Sequence, residues 1–190
     1  LEEDMKKIIL VHGWEGNPNN CWFPWLKKEL KKRKFKVIIP NMPNSDEPKI
    51  NLWIKFLEKK IGEVNEETYF IGHSIGCQAI MRYLEILPEK TRIGGIVFVA
   101  GFFNLPYLET KEEKNIAKPW LKIPINTKKI KMMSENITAI FSDNDSDVPI
   151  TDSKLFKERL NAKIIIEHNK GHFSDDAGVK ELPVVLNEIL

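Results

Sequence analysis

The chain has 190 residues, 29 of them Lys or Arg and 27 Asp or Glu, for a formal charge of +2 at pH 7. That length suits one domain with one substantial core, and so small a net charge argues against a nucleic-acid binder or a protein held to an anionic membrane. Two cysteines, Cys21 and Cys77, make neither a disulfide framework nor a metal set, which points to a reducing, cytoplasmic setting.

The first apolar run, Lys7–Val11, ends in the turn His12-Gly13-Trp14-Glu15-Gly16. A helix follows over Pro24–Lys34, carrying Leu26 and Leu30. The cluster Lys27, Lys28, Lys31, Lys32, Arg33, Lys34 and Lys36 reads as its solvated face and C-terminal end, where cations suit the helix dipole. A strand at Lys36–Ile39 precedes a helix over Pro48–Ile61, with Ile50, Ile54, Leu57 and Ile61 on one stripe and Pro48 near its start. Next come a strand at Thr68–Ile71, a helix over Ile75–Leu87 and a strand at Gly95–Ala100. After a long connection the chain continues with strands at Ile137–Phe141 and Lys163–Glu167 and helices at Ser153–Leu160 and Leu182–Leu190. The strands are rich in Ile, Val and Phe and run continuously rather than alternating, as strands buried on both faces do. The expected fold is α/β: a three-layer sandwich with a mostly parallel six-stranded sheet and helices on both faces, one domain over residues 1–190. No apolar run approaches the roughly 20 residues of a membrane-spanning helix. The chain begins at Leu1 rather than Met, which leaves room for a trimmed leader.

The long connection, Phe102–Asn136, exceeds a simple crossover helix and holds Pro106, Pro119, Pro124, Trp120 and the charged run Glu109–Lys114. It leaves the carboxyl edge of the sheet, where ligands bind, so a small lid over 102–136 is expected in preference to an ordinary helix with ragged connections.

Gly72-His73-Ser74-Ile75-Gly76 is a G-x-S-x-G pentapeptide between a strand and a helix, the setting of a nucleophile elbow. A serine hydroxyl needs a base to take its proton. Of the four histidines, His12 belongs to the first turn, His73 is expected to point away along the elbow, and His168 reads as structural. His172, in Gly171-His172-Phe173 just past the last strand, is the expected general base and acid. An orienting carboxylate belongs after a strand, between serine and histidine. Ser142-Asp143-Asn144-Asp145-Ser146-Asp147-Val148-Pro149 offers three; Asp145 is preferred, with Asp143 as the fallback. The alternation Asp143, Asp145, Asp147 resembles the opening of a calcium loop. The pattern then fails, because Val148 stands at the glycine position and Lys154 at the closing glutamate. The oxyanion donors are expected from Ile75 N–H and from Trp14 N–H, with Gly13 the alternative to Trp14. Trp14, Trp22, Phe23 and Trp25 crowd the same region; core packing is one reading of them, and the other is an aromatic wall that receives an acyl group, with Trp120 of the lid facing it and Gly13 in the pocket. This chemistry calls for no cofactor and no metal.

His12-Gly13, the Gly-His-Ser-Ile-Gly elbow, the Ser-Asp-x-Asp loop ending in Val-Pro, and Gly-His-Phe together resemble the small α/β-hydrolases of the YdeN and retinoblastoma-binding-protein-nine type, from Lys7 to Leu190. The resemblance implies a compact α/β-hydrolase fold lacking the first two strands of larger relatives. It implies a triad of Ser74, Asp145 and His172 and action on small esters or amides. One branch is tied to the retinoblastoma protein through an L-x-C-x-E segment; the chain has none, so that partner is not expected. The rival expectation is a protein-interaction module that keeps the fold without turnover.

Overall fold

A computed structural model describes residues 5–190; Leu1, and with it the expectation of a trimmed leader, lies outside the described residues. The elements run β1 (Lys7–Val11), α1 (Phe23–Lys32), β2 (Lys36–Ile38), α2 (Ile50–Ile61), β3 (Thr68–His73), α3 (Ile75–Ile86), β4 (Gly95–Val99), α4 (Lys111–Lys122), α5 (Thr127–Met133), β5 (Ile137–Ser142), α6 (Asp152–Leu160), β6 (Lys163–Glu167) and α7 (Pro183–Ile189). The strands lie in the order β2-β1-β3-β4-β5-β6 and every pair is parallel, so the sheet is wholly rather than mostly parallel.

Alternate residues of the central strands feed two cores. Ile8, Leu10, Ile71, Val97 and Val99 pack with Leu26 and Leu30 of α1 and Val185 and Ile189 of α7. On the other face Ile9, Val11, Phe70, Ile96 and Phe98 meet Trp53 and Leu57 of α2, Ile80 and Leu84 of α3, and Phe156 of α6. The chain leaves β1 toward β2 and returns to β3 on β1's other side. That reversal opens a crevice beyond the carboxyl ends of β1 and β3, where open α/β sheets bind ligands. Both the His12-Gly13 turn and the Ser74 elbow emerge there.

Element ends differ from the sequence reading for local reasons. β3 runs on through Gly72 and His73, which pair with Phe98 and Val99. β2 is cut to three residues, a short edge strand with Lys36 exposed. The connection 102–136 holds two helices, α4 and α5. Thr110 and Glu113 form a reciprocal capping box at the start of α4. The connection is pinned at its root: buried Asp152 accepts from Phe103 and Asn104 N–H groups, and Gln78 donates to Phe102 O at 2.9 Å. Buried Arg82 donates to Trp120 O at 2.9 Å and Ile123 O at 2.8 Å, holding the carbonyl end of α4.

Candidate active site

Ser74 sits between β3 and α3 at φ 55° and ψ −124°, a left-handed backbone that serine enters only under strain, at a cost of about 1–3 kcal/mol. Packing holds it there. A Cβ on Gly76 would lie 2.2 Å from Val11 O, and one on Gly72 would lie 2.8 Å from Cys77 Cα. Only glycine lets β1, β3 and α3 approach so closely. Ser74 N–H donates to Val99 O at 2.9 Å, and Ser74 O accepts from Cys77 N–H at 3.0 Å.

Asp145 and His172 meet across the β5 and β6 loops. His172 Nδ1 lies 2.9 Å from Asp145 Oδ2 and 3.1 Å from Oδ1. The aspartate side chain is 2% exposed and the imidazole 15%. Asp145 Oδ1 also accepts from the N–H groups of Asp147 at 2.8 Å and Val148 at 3.1 Å, so the carboxylate is fixed in place. Burial pulls the His172 pKa down, but the hydrogen bond and charge of Asp145, with Asp147 beyond, outweigh it and leave it above the usual histidine value. Asp147 Oδ2 stands 3.8 Å from His172 Nε2. Ser74 and His172 line one cleft of about 1050 Å³, and Ser74 Oγ makes no hydrogen bond among the described residues.

Asp143 faces elsewhere: it lies 2.6 Å from His168 Nδ1 and accepts from Asn169 N–H at 2.9 Å. Its neighbours complete a clamp. Ser142 Oγ donates to Asn144 Oδ1 at 2.8 Å and accepts from Lys170 N–H at 3.0 Å, while Asn144 Oδ1 also accepts from Gly171 N–H at 2.8 Å. Residues 142–144 therefore set the register that brings His172 to Asp145. His168, 79% exposed at its side chain, is part of this clamp.

The residues expected to supply the oxyanion donors lie beside Ser74. Ile75 is the first residue of α3, so its N–H precedes the helical ladder. Trp14 N–H has no acceptor among the described residues, although Glu15 N–H donates to Ser45 O at 2.7 Å and Gly16 N–H to Gly13 O at 3.1 Å. A Cβ on Gly13 would lie 3.3 Å from Ser74 Cβ, so this turn rests directly on the elbow.

Two residues outside the expected set shape the site. His73 does not point away: its buried ring reaches back so that Nε2 lies 2.8 Å from the carbonyl oxygen of His172. A carbonyl only accepts, so Nε2 carries the proton. Burial, then the neighbouring His172, push the His73 pKa down to about 3, which keeps the ring neutral. His12 accepts Met42 N–H on Nε2 at 2.9 Å, so its proton is on Nδ1, which donates to Gly13 O at 2.8 Å. His12 thereby orients the Gly13–Trp14 peptide. Adjacency to Ser74 and to Gly13 in the sequence was the one available signal for either role.

The aromatic wall needs correction. Trp22 is fully buried in the α1 core, edge-on to Phe23 at 4.7 Å, and does not line the cleft. Trp120 is also buried, donating from Nε1 to Pro48 O at 2.9 Å, and borders a separate depression of about 250 Å³. Trp22 just before α1 and Trp120 within α4 are taken up by packing. Of the aromatic group read from the sequence, Trp14 and Phe23 do line the cleft, together with Gly13, Phe102, Leu105 and Tyr107.

Asp145, Asp147 and His172 offer ligand atoms within 4.8 Å of one another, the one such group among the described residues. Asp145 is already spent on Nδ1 and two N–H groups, so it has little left for a cation. No helix of the described residues is long and apolar enough to cross a membrane.

A family model described as serine hydrolase matches residues 8–189. The protein YdeN of Bacillus subtilis is 34% identical over 181 residues, covering 95% of this chain and 92% of its own. Its crystal structure superposes with a TM-score of 0.88 at 32% identity, over 96% of both chains. The serine hydrolase RBBP9 of Rattus norvegicus is 26% identical over 89% of this chain and 88% of its own. Est1E of Butyrivibrio proteoclasticus shares the fold at a TM-score of 0.70 and 16% identity, over 98% of this chain and 89% of that one.

Proposed function

The chain belongs to the serine hydrolase family, and on that premise we propose that it cleaves small carboxylesters, and by the same chemistry amides or thioesters, through an acyl-enzyme on Ser74. The observation that carries the reading is the buried Asp145–His172 pair on the rim of the cleft that holds Ser74 in its strained turn. His172 takes the Ser74 proton on Nε2 as the oxygen attacks the carbonyl carbon, while Asp145 holds the proton on Nδ1 and stabilises the imidazolium. The Ile75 and Trp14 N–H groups receive the oxyanion; one such donor is typically worth about 3 kcal/mol in the transition state. His172 then protonates the leaving group, and later activates the water that frees the acid. His73 and His12 act as positioning residues, the first for the His172 backbone and the second for the Trp14 peptide. Residues 1–190 act as one domain, and 102–136 as a small lid rooted by Asp152 and Arg82. Both cysteines are free, which fits the reducing cytoplasm we assign.

The test is covalent labelling by a fluorophosphonate followed by turnover of esters with graded acyl length. Labelling that Ser74→Ala abolishes supports the reading. Well-folded protein that neither labels nor turns over any ester overturns it in favour of an interaction module.

A further inference from the structure

We infer that the cleft selects substrates bearing a positive charge: esters or amides whose acyl or leaving group carries an ammonium. Twenty-seven residues line the cleft; nine are Asp or Glu and none is Lys or Arg. The chain itself has slightly more bases than acids, 29 against 27, so an even spread would put about four of each sign there. This is not one local run. Glu15 follows β1, Asp46 precedes α2, Glu109 and Glu112 lie at the head of α4, Asp147 follows β5, and Asp176 follows β6.

Some of this charge is already engaged. Glu47 lies 3.3 Å from Lys49, Asp175 pairs with Lys180, Glu113 is held in the capping box, and Asp147 faces His172. Glu15, Asp46, Glu109, Glu112 and Asp176 form no ion pair among the described residues, and all five are exposed. Helix α4 sorts its charges by face. Glu112, Glu113 and Ile116 border the cleft, whereas Lys111, Lys114, Lys118 and Lys122, spaced by three or four, are exposed on other faces. Negative potential is therefore concentrated at the cleft of a chain that is slightly positive overall.

A cleft lined by one sign focuses its field and raises the local concentration of the opposite charge. Trp14 and Tyr107 also line it, and aromatic rings attract an ammonium. The carboxylates surround a nucleophile, so the cation they favour is carried by the molecule on which Ser74 acts. The inference rests on the esterase reading above and deepens it.

The test compares three acetate esters: acetylcholine, its uncharged isostere 3,3-dimethylbutyl acetate, and the anionic 4-acetoxybutanoate. At low ionic strength kcat/KM for the cation is expected to exceed that of the isostere by about tenfold or more, with the anion slowest. About 0.5 M salt should shrink the advantage severalfold. The double variant Glu109→Lys with Glu112→Lys changes exposed groups outside the reaction machinery. It should cut the cation's advantage severalfold and leave the neutral ester nearly unchanged. A parallel readout is the rate at which Ser74 is phosphonylated by a reagent with a cationic leaving group against its neutral isostere, which needs no turnover. Equal rates for cationic and neutral reagents at both salt concentrations, or preference for the anion, overturn the charge selection while Ser74 labelling keeps the esterase reading intact. Loss of all labelling and turnover overturns the esterase reading itself.

Discussion

The elbow side of the cleft, Gly72–Gly76 with the turn after β1, is positioned by backbone packing; the opposite rim, Ser142–Asp147 with His168–Phe173, is positioned by side-chain hydrogen bonds. On the first side, glycines let carbonyls and α-carbons approach within distances that any Cβ would violate. On the second, Ser142, Asp143 and Asn144 grip the N–H groups of Asn169, Lys170 and Gly171. Sterics of that kind do not yield, whereas each polar contact is worth about 1 kcal/mol and can be lost singly. Lesions on the two sides should therefore be felt differently: in chemistry or folding at the elbow, in turnover with little loss of stability at the rim.

The largest effect expected is from Ser74→Ala, roughly a million-fold in kcat with an unchanged thermal midpoint, read from ester hydrolysis and calorimetry. On the rim, Asp145→Asn should cost about ten-thousand-fold in kcat. Asp143→Asn and Asp147→Asn should stay within about tenfold, because one serves the clamp and the other stands 3.8 Å beyond the ring. A more damaging Asp143→Asn would reassign the carboxylate. Gly76→Ala sharpens the contrast, since its methyl would overlap Val11 O. It should lower unfolding free energy by about 3 kcal/mol or more, against about 1 kcal/mol for Asn144→Ala, both from urea titration. His73→Phe keeps a buried ring but removes the donor to His172 O, and a kcat fall of about tenfold with KM little changed is expected.

The smallest effect lies in the pH profile. The proposed mechanism needs neutral His172, and the raised pKa of that ring should shift the acid limb of kcat/KM above the ordinary histidine range. Asp147→Asn removes one charge that favours the imidazolium, so the limb should move to lower pH. The linkage has the matching sign: the Asp145–His172 pair stabilises the fold fully below the unfolded histidine pKa, and that contribution is lost as pH rises through the higher folded value. A limb unmoved in Asp147→Asn would show that Asp147 does not act on the ring.

Each side of the site was readable to the degree that its physics is local. The elbow was visible because Gly72, Ser74 and Gly76 answer a steric demand within five residues, and the six strands because continuous Ile, Val and Phe runs mark burial on both faces. The clamp was not, because Ser142 and Asn144 meet Lys170 and Gly171 only after β5 and β6 pair. His73 was misjudged for the same reason, since its acceptor lies 99 positions away. Trp22 and Trp120 were placed on the wall by aromatic character alone, which does not separate a lining residue from a core one. The acidic bias of the cleft was hidden by a balanced overall composition, because five connections contribute it piecemeal.

The edge strand β6 carries Ile164, Ile165 and Ile166 between Lys163 and Glu167. Helix α7 follows it, and Glu188 reaches back to Lys163 at 2.7 Å and to Thr138 at 2.7 Å. During synthesis the isoleucine run leaves the ribosome before the helix that covers one of its faces. Until α7 docks, a greasy ribbon with unpaired amides is open to a neighbouring nascent chain. The two flanking charges are then the main guard against clumping, so replacing Lys163 with an apolar residue should lower the soluble yield of freshly made protein more than it lowers the stability of protein already folded.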